Sequence, residues 1–306
     1  MIFLEFINSS FKDVSSVVIK CEKFDATFLP ENGGKLVSVK DKSNTEWLAQ
    51  DKNYKYIPQT KDGVYIDAEV SGADEMFPTI DPCVVNGNSY PCHGEVCRIS
   101  HRYYVDENNL VIQYHSNELK YDYKKIISEN DDGSLNIKYE IKNNSDADFP
   151  CIWAFHMMFS SVDGGYAFAC LPDDAHGEIM FDDTKRFGKR EDVIVLKKEH
   201  FTNGKYQKDG DAYKYYITKP LENGICGYWR NDVKSCLKLT YDVKKLPYLG
   251  IWVNDGGFKE MYSTAVEPCN IPYDSIKNAK KHGYEFSIPS KAAFEFEINL
   301  SLDDIQ

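Results

Sequence analysis

At 306 residues the chain is long enough to bury a large core, and its 42% hydrophobic and 27% charged residues are typical of a globular protein. Its formal net charge of −12 argues against nucleic acid or an anionic membrane as the main partner, because both would repel the chain. Aromatic residues reach 14%, which favours β-strands and either core packing or the stacking of sugars. The composition therefore favours a small neutral molecule as the ligand.

The N-terminal stretch MIFLEFINSS has an apolar start but carries Glu5, and it lacks the basic start and the apolar run of a signal peptide. No stretch approaches the roughly 20 apolar residues of a membrane span. Nine cysteines occur without a C-x-x-C pair, so we expect mostly buried thiols rather than a disulfide framework or a zinc knuckle. We expect a cytoplasmic protein, monomeric or homodimeric, with no membrane partner.

Alternation of apolar and polar residues with a period of two is the main pattern along the chain, and it is typical of β-strands. In chain order, the elements are an ambiguous segment at 11–20, a strand at 110–116, a hairpin at 121–141, a strand at 235–243, a second ambiguous segment at 278–286 and a strand at 294–300. The hairpin contains SENDDGS, in which Asp-Gly is a turn signal. No Gly-rich strand-turn-helix unit occurs, which argues against a nucleotide-binding fold. We therefore predict an all-β fold, a large antiparallel β-sandwich that forms one domain over residues 1–306.

Four segments place polar residues inside apolar or strand-like surroundings. They are ENGGKLVSV (31–39), GADEMFPTI (72–80) with YPCHGEV (90–96), WAFHMMF (153–159), and YLGIWVNDGGF (248–258) with TAVEPCN (264–270). On a strand, His156 faces the side opposite Phe155 and Met157. Glu267 ends an apolar run before a proline, where a carboxylate can serve as a general base. Taken singly, each residue also fits a structural role: His156 as a core histidine, His93 in a loop, and Glu267 as a charge at a strand end.

Together and in this order, the segments resemble those of the aldose 1-epimerase, or galactose mutarotase-like, family. PENGGKLVSV is similar to the family's opening hairpin with P-x-x-GG. The His-Gly at His93 resembles the loop of its first active-site histidine, His156 resembles its second histidine, and VEPCN with Glu267 resembles its C-terminal Glu-Pro. The resemblance covers roughly residues 20–300.

The resemblance implies a large β-sandwich that interconverts the α and β anomers of a free aldose, with no cofactor and no metal. By this resemblance, Glu267 takes the proton of the C1 hydroxyl as general base while His156 protonates the ring oxygen. His93 hydrogen-bonds the sugar near the ring oxygen or C1 and helps to stabilise charge there. Trp252 either offers an aromatic face to the sugar or is a core tryptophan. The implied partner is a small-molecule sugar.

The segment before the first histidine departs from the family pattern. Galactose mutarotases have Asn-Arg there, whereas this chain has GADEMFPTI, which contains Asp74 and Glu75. Carboxylates suit the hydroxyl groups of a neutral sugar, so we predict that both residues bind substrate. They would repel a sugar phosphate, although Arg98 and Arg102 could offset that charge, which leaves a hexose-6-phosphate 1-epimerase as an alternative. The aspartate with which the family binds sugar hydroxyls has no identified counterpart.

Two other classes of function fit parts of the same pattern. His93, Glu95, His156 and Glu267 include the H-x-E spacing of a cupin-like metal site, although Gly94 interrupts the strand that such a site needs. A sugar-binding or sensing sandwich without turnover would have the same fold. Metal content and the anomer exchange of free sugars distinguish these alternatives from a cofactor-free isomerase.

Overall fold

The computed structural model describes residues 5–201 and 210–304, and most of its regular structure is β-strand. In chain order the strands are β1 (Glu5–Phe11), β2 (Val14–Lys20), β3 (Phe24–Leu29), β4 (Lys35–Asp41), β5 (Ala73–Met76), β6 (Cys83–Val85), β7 (Asn88–Tyr90), β8 (Arg102–Asp106), β9 (Asn109–Ser116), β10 (Tyr121–Glu129), β11 (Leu135–Asn143), β12 (Phe149–Pro150), β13 (Ala154–Ser160), β14 (Tyr166–Ala169), β15 (His176–Asp182), β16 (Val193–Val195), β17 (Asp211–Ile217), β18 (Ile225–Arg230), β19 (Ser235–Tyr241), β20 (Tyr248–Asp255), β21 (Tyr262–Cys269), β22 (Ser287–Ile288) and β23 (Ala293–Asp304). Within the described residues there is one α-helix, α1 (Ile276–Lys281), and short 3-10 helices cover Tyr65–Asp67, Val96–Arg98 and Lys198–His200.

Two large antiparallel sheets contain most of the strands. The eleven-stranded sheet has the order β1-β2-β3-β4-β5-β13-β21-β20-β17-β15-β16, and the eight-stranded sheet has the order β14-β18-β19-β23-β11-β10-β9-β8. Apolar side chains of both sheets form one buried cluster, in which the ring of Trp153, just before β13, lies 5.0 Å from Tyr139 and 4.5 Å from Phe296, centroid to centroid. The sheets therefore pack face to face as a β-sandwich, and the predicted fold class is confirmed.

Strands with the clearest alternation are confirmed. β10 and β11 form the predicted hairpin, while β9, β19 and β23 match the other predicted strands. Of the two ambiguous segments, the later one contains part of α1, whereas the earlier one is strand and turn. There, Lys12 and Asp13 have φ values of 47° and 68°, which fit a tight turn between β1 and β2 and exclude a helix.

Six of the nine cysteines are buried, and all nine are free thiols, as predicted. In the part of the chain that the structure describes, no helix has the length and apolarity needed to cross a membrane. That the whole chain forms one domain stays a prediction.

The central strands of the eleven-stranded sheet have one apolar and one polar face. Phe155 and Met157 of β13 and Val266 of β21 belong to the cluster between the sheets. Because side chains alternate along a strand, His156 and Glu267 point to the outer face of the same sheet. The side of His156 predicted from the sequence is therefore confirmed.

Candidate active site

A cavity of about 360 Å³ opens on the outer face of the eleven-stranded sheet. His156 of β13, Lys214 of β17 and Trp252 of β20 line it from the sheet, while loops contribute His93 and Asp274. This volume lies within the range of small-molecule sites, about 300–1,000 Å³. Of the residues that the sequence predicts for the site, His93, His156 and Trp252 therefore line the cavity.

His156 and Glu267 lie beside each other on the adjacent strands β13 and β21. Nε2 of His156 is 3.4 Å from Oε1 of Glu267. Glu267 is fully buried, and its second oxygen, Oε2, accepts a hydrogen bond of 2.8 Å from Nζ of Lys214. Oε1 is buried and has no hydrogen-bond partner among the residues described. One carboxylate oxygen is therefore held by a cation, and the other faces the histidine.

Lys214 is the central cation of the site, and the sequence patterns did not predict it. Its Nζ also lies 2.9 Å from Oδ1 of Asp274, which accepts a further hydrogen bond from the hydroxyl of Tyr216. Burial by itself lowers the pKa of Lys214, but the carboxylates of Asp274 and Glu267 outweigh burial and raise that pKa above its ordinary value. The side chain is therefore an ammonium at neutral pH. The feature of the sequence that could have indicated Lys214 is a single lysine among aromatic residues, in YKYY.

Both histidines of the cavity have lowered pKa values. Burial lowers the pKa of His156, Glu267 opposes this effect, and Lys214 adds to it. Burial also lowers the pKa of His93 well below its ordinary value, and the nearby His156 contributes in the same direction. At neutral pH the free protein therefore holds both imidazoles mainly in the uncharged form.

The loop after β7 fixes the ring of His93 in the cavity wall. The imidazole stacks on the ring of Tyr65 with a centroid distance of 3.7 Å and an interplanar angle of 0°, and its Nδ1 lies 3.0 Å from Sγ of Cys92. Arg98 braces the loop by donating hydrogen bonds to the carbonyl oxygen of Cys92 and to two carbonyl oxygens of the 60–63 segment. The position of His93 is therefore determined by packing on one side and by main-chain hydrogen bonds on the other.

Gly94 shows why a glycine follows this histidine. Its φ is 74°, and a Cβ atom there would lie 2.1 Å from the carbonyl oxygen of Phe77. We expect Gly94→Ala to lower the free energy of unfolding, measured in urea, by about 2–5 kcal/mol, through backbone strain plus steric overlap.

Gly87→Ala is the matched control for Gly94→Ala. Gly87 has a φ of 81°, but nothing lies within 4 Å of a Cβ placed there. This variant tests the cost of the left-handed conformation alone, about 1–2 kcal/mol. Equal losses in the two variants would show that close contact with Phe77 is not what requires a glycine after His93.

Asp74 and Glu75, both predicted to bind substrate, do not line the cavity. Asp74 is buried, accepts a hydrogen bond of 2.5 Å from the hydroxyl of Tyr65, and pairs with Lys35 at 3.0 Å. Glu75 points into the interior of the sandwich, where its carboxylate pairs with Lys125 at 2.7 Å. Since adjacent residues of a strand face opposite sides, the two carboxylates cannot serve one site. Asp74 supports the wall behind Tyr65, and Glu75 faces away from the cavity.

Trp252 lies half-buried in the cavity wall rather than in the core between the sheets. Its ring is 5.9 Å from that of Phe181 and 5.3 Å from that of Phe258, centroid to centroid. All three rings line the cavity. Of the two interpretations of this tryptophan, the structure favours an aromatic surface that a ligand can contact.

Three residues on which the alternative functions depended, Glu95, Arg98 and Arg102, lie away from the cavity. The carboxylate of Glu95 accepts hydrogen bonds from Tyr114 at 3.1 Å and Tyr121 at 2.8 Å, so it turns toward the eight-stranded sheet and away from the other three residues of the metal-site hypothesis. Within residues 5–201 and 210–304, no group of three or more His, Cys, Asp and Glu side chains is placed to hold a metal ion. Arg98 is engaged with main-chain carbonyls, and Arg102 begins β8 on the far sheet. Neither arginine lines the cavity.

Comparison with solved structures finds the same fold in proteins of very different sequence. A candidate aldose 1-epimerase from Klebsiella pneumoniae aligns with a TM-score of 0.73 over 98% of this chain and 87% of that one, at 15% identity. A galactose mutarotase-like protein from Clostridium acetobutylicum aligns with a TM-score of 0.67 over 99% of both chains, at 12% identity. A galactose mutarotase related enzyme from Lactobacillus acidophilus aligns with a TM-score of 0.64 over 95% of this chain and 99% of that one, at 14% identity.

These likenesses establish the architecture: the chain has the galactose mutarotase-like β-sandwich fold. No protein-family profile matches the sequence, and no curated protein does. Any inference about the reaction therefore depends on the arrangement of side chains in and beside the cavity.

Proposed function

We propose that the protein is an aldose 1-epimerase, an isomerase that interconverts the α and β anomers of a free aldose without a cofactor. The observation that carries the proposal is the pair of His156 and Glu267, whose facing atoms are 3.4 Å apart beside a cavity of small-molecule size. The anomeric hydroxyl and the ring oxygen are bonded to the same carbon. A base and an acid that serve these two oxygens must therefore be close neighbours.

In the proposed mechanism, Oε1 of Glu267 takes the proton of the C1 hydroxyl while the imidazolium of His156 gives a proton to the ring oxygen. The bond between C1 and the ring oxygen breaks as the C1 carbonyl forms. Rotation about C1–C2 presents the other face of the carbonyl. The C5 hydroxyl then attacks C1 and returns its proton to His156, and Glu267 returns its proton to the former carbonyl oxygen, so the turnover leaves both residues unchanged.

The other polar residues of the cavity have supporting roles in this proposal. Lys214 holds Oε2 of Glu267, so Oε1 keeps a fixed direction beside His156. Asp274 lines the cavity and takes the role of the aspartate that binds sugar hydroxyls. His93, held against Tyr65, hydrogen-bonds the sugar near the reacting carbon.

A neutral sugar suits the charges of the cavity better than a sugar phosphate. Lys214 is already paired with two carboxylates. At the rim, Arg190 lies 3.8 Å from Asp81, so its charge is also partly balanced. Asp81 and Asp274 both line the cavity and would repel a phosphate.

The test is anomer exchange, measured by two-dimensional exchange NMR on a panel of free sugars with and without the protein. Exchange faster than the uncatalysed rate, and unaffected by a chelator, supports the proposal. Saturable sugar binding without faster exchange would instead support a sugar-binding or sensing protein. Activity that depends on a stoichiometric metal would overturn the cofactor-free mechanism.

The pH dependence of kcat/KM tests the assignment of His156. The imidazolium is the proposed acid, and burial lowers the pKa of His156 below the ordinary value of about 6.5. The active, protonated fraction is complete below the lowered pKa and is lost as the pH rises through it. We therefore expect kcat/KM to fall with rising pH, with a midpoint below about 6.5. A rate constant independent of pH between 6 and 8 would mean that the imidazolium is not the acid.

A further inference from the structure

Much of the cavity wall is apolar. Four of the six methionines of the chain line it: Met76, Met158, Met180 and Met261. A thioether donates no hydrogen bond and is a weak acceptor, so these side chains cannot replace the water that hydrates a sugar hydroxyl. They are, however, well suited to fit closely around methyl and methylene groups.

One apolar surface lies directly beside the acid and base. Met158, Ala265 and Trp252 are paired in register across β13, β21 and β20. Met158 and Ala265 each lie two residues along their strand from His156 and Glu267, so they share the same face of the sheet. Met158 and Trp252 of this row also line the cavity, so part of the surface beside the acid and base is apolar.

Further apolar side chains line the cavity in other places. Met261 and Val70 pack in one cluster with Met158, whereas Met76, Ile80 and Met180 belong to a separate cluster. A single apolar platform fits the C–H face of any sugar. Several apolar walls also meet the edges of the ring, where a hydroxyl would lose its water without gaining a partner.

We propose that the substrate is a deoxyaldose, a free sugar with a methyl or methylene group at a position where common hexoses carry a hydroxyl. That the anomeric carbon of this sugar is the reacting atom rests on the proposed function above. The remaining hydroxyls of such a sugar meet polar residues of the cavity lining, among them His93, His156, Lys214 and Asp274. The apolar walls then contact the deoxygenated part.

The experiment compares matched sugars that differ in one oxygen: D-galactose with 6-deoxy-D-galactose, L-galactose with 6-deoxy-L-galactose, L-mannose with 6-deoxy-L-mannose, and D-glucose with its 2-deoxy and 6-deoxy forms. The kcat/KM for anomer exchange is measured by exchange NMR, and binding to Glu267→Gln protein is measured by calorimetry. We expect the deoxy member of at least one pair to be favoured by roughly 10–100-fold in both measurements.

Two substitutions at Met261 separate polarity from packing. Met261→Leu keeps an apolar side chain of similar volume and is expected to keep the preference. Met261→Gln has a similar shape but adds an amide that can bond a hydroxyl, so the preference for the deoxy sugar should shrink several-fold. An equal change in the two variants would contradict the role given to the apolar wall.

The outcomes distinguish the failure of this inference from the failure of the proposed function. If exchange is accelerated but no deoxy sugar is favoured over its hydroxylated partner, the deoxyaldose inference is overturned and the epimerase proposal stands. If no sugar is turned over but deoxy sugars bind more tightly, the epimerase proposal is overturned and the ligand class is kept. The absence of both turnover and binding preference overturns both.

Discussion

Glu267→Gln is expected to lower kcat for anomer exchange by about 10²–10⁴-fold, because an amide cannot take the proton of the anomeric hydroxyl. The replacement has nearly the same shape, and its carbonyl oxygen can still accept the hydrogen bond from Lys214. Asp274 remains to balance the lysine charge. Exchange NMR at saturating sugar measures the loss, and circular dichroism on heating checks that the fold is retained.

His156→Ala is expected to lower kcat for anomer exchange by a factor similar to that of Glu267→Gln. Since the two residues act in one concerted step, the double variant should be little worse than either single variant. Glu295→Gln, at an exposed position of β23, is the matched control and should leave the rate unchanged. If Glu267→Gln and His156→Ala both keep the accelerated exchange, the roles assigned to these residues are wrong.

Lys214→Met is expected to lower the free energy of unfolding in urea by about 3–5 kcal/mol, because it leaves two buried carboxylates without their cation. Those carboxylates belong to Glu267 and Asp274, whose oxygens lie 2.8 and 2.9 Å from Nζ. Methionine has a similar length and suits the apolar surroundings, so lost packing contributes little. Anomer exchange should fall as well, because Oε2 of Glu267 loses the donor that holds it.

Lys280→Met is the matched control for Lys214→Met. Lys280 lies on α1, its side chain is 71% exposed, and its ion pair with Glu285 is 3.1 Å long. Its removal should change stability by less than about 1 kcal/mol. Adding Asp274→Asn to Lys214→Met removes one of the two unbalanced charges and should recover part of the stability. Equal losses from the two lysine variants, or no recovery in the double variant, would contradict the proposed charge balance.

Local patterns were sufficient to predict β9, β10, β11, β19 and β23, and to place His156 on the side of its strand opposite Phe155 and Met157. Alternation depends only on which side of the backbone successive residues occupy, so Phe155 and Met157 indicate the direction of His156 without any knowledge of neighbouring strands. The same rule implies that Asp74 and Glu75 face opposite sides. The rule does not state which side of the strand faces the cavity. The prediction that both residues bind substrate overlooked that they face opposite sides.

Lys214 and Asp274 were outside the reach of sequence patterns. The contact between Lys214 and Glu267 joins residues 53 positions apart, and it exists because β17 and β21 both flank β20. No local feature specifies that order of strands. Asp274 follows β21 in an irregular segment, where an aspartate has many structural uses.

The sequence by itself determined the all-β architecture and the chemical types of the principal residues, because period and residue type are local properties. Only the tertiary structure decided which charges meet. It joined Glu267 to Lys214, buried Glu75 against Lys125, and turned Glu95 toward the eight-stranded sheet. It also gathered methionines from separate strands and loops into one cavity wall. The physical reason is that strand order brings distant segments together, while the strength of each charge and the cost of each unpaired hydroxyl depend on the burial that this order creates.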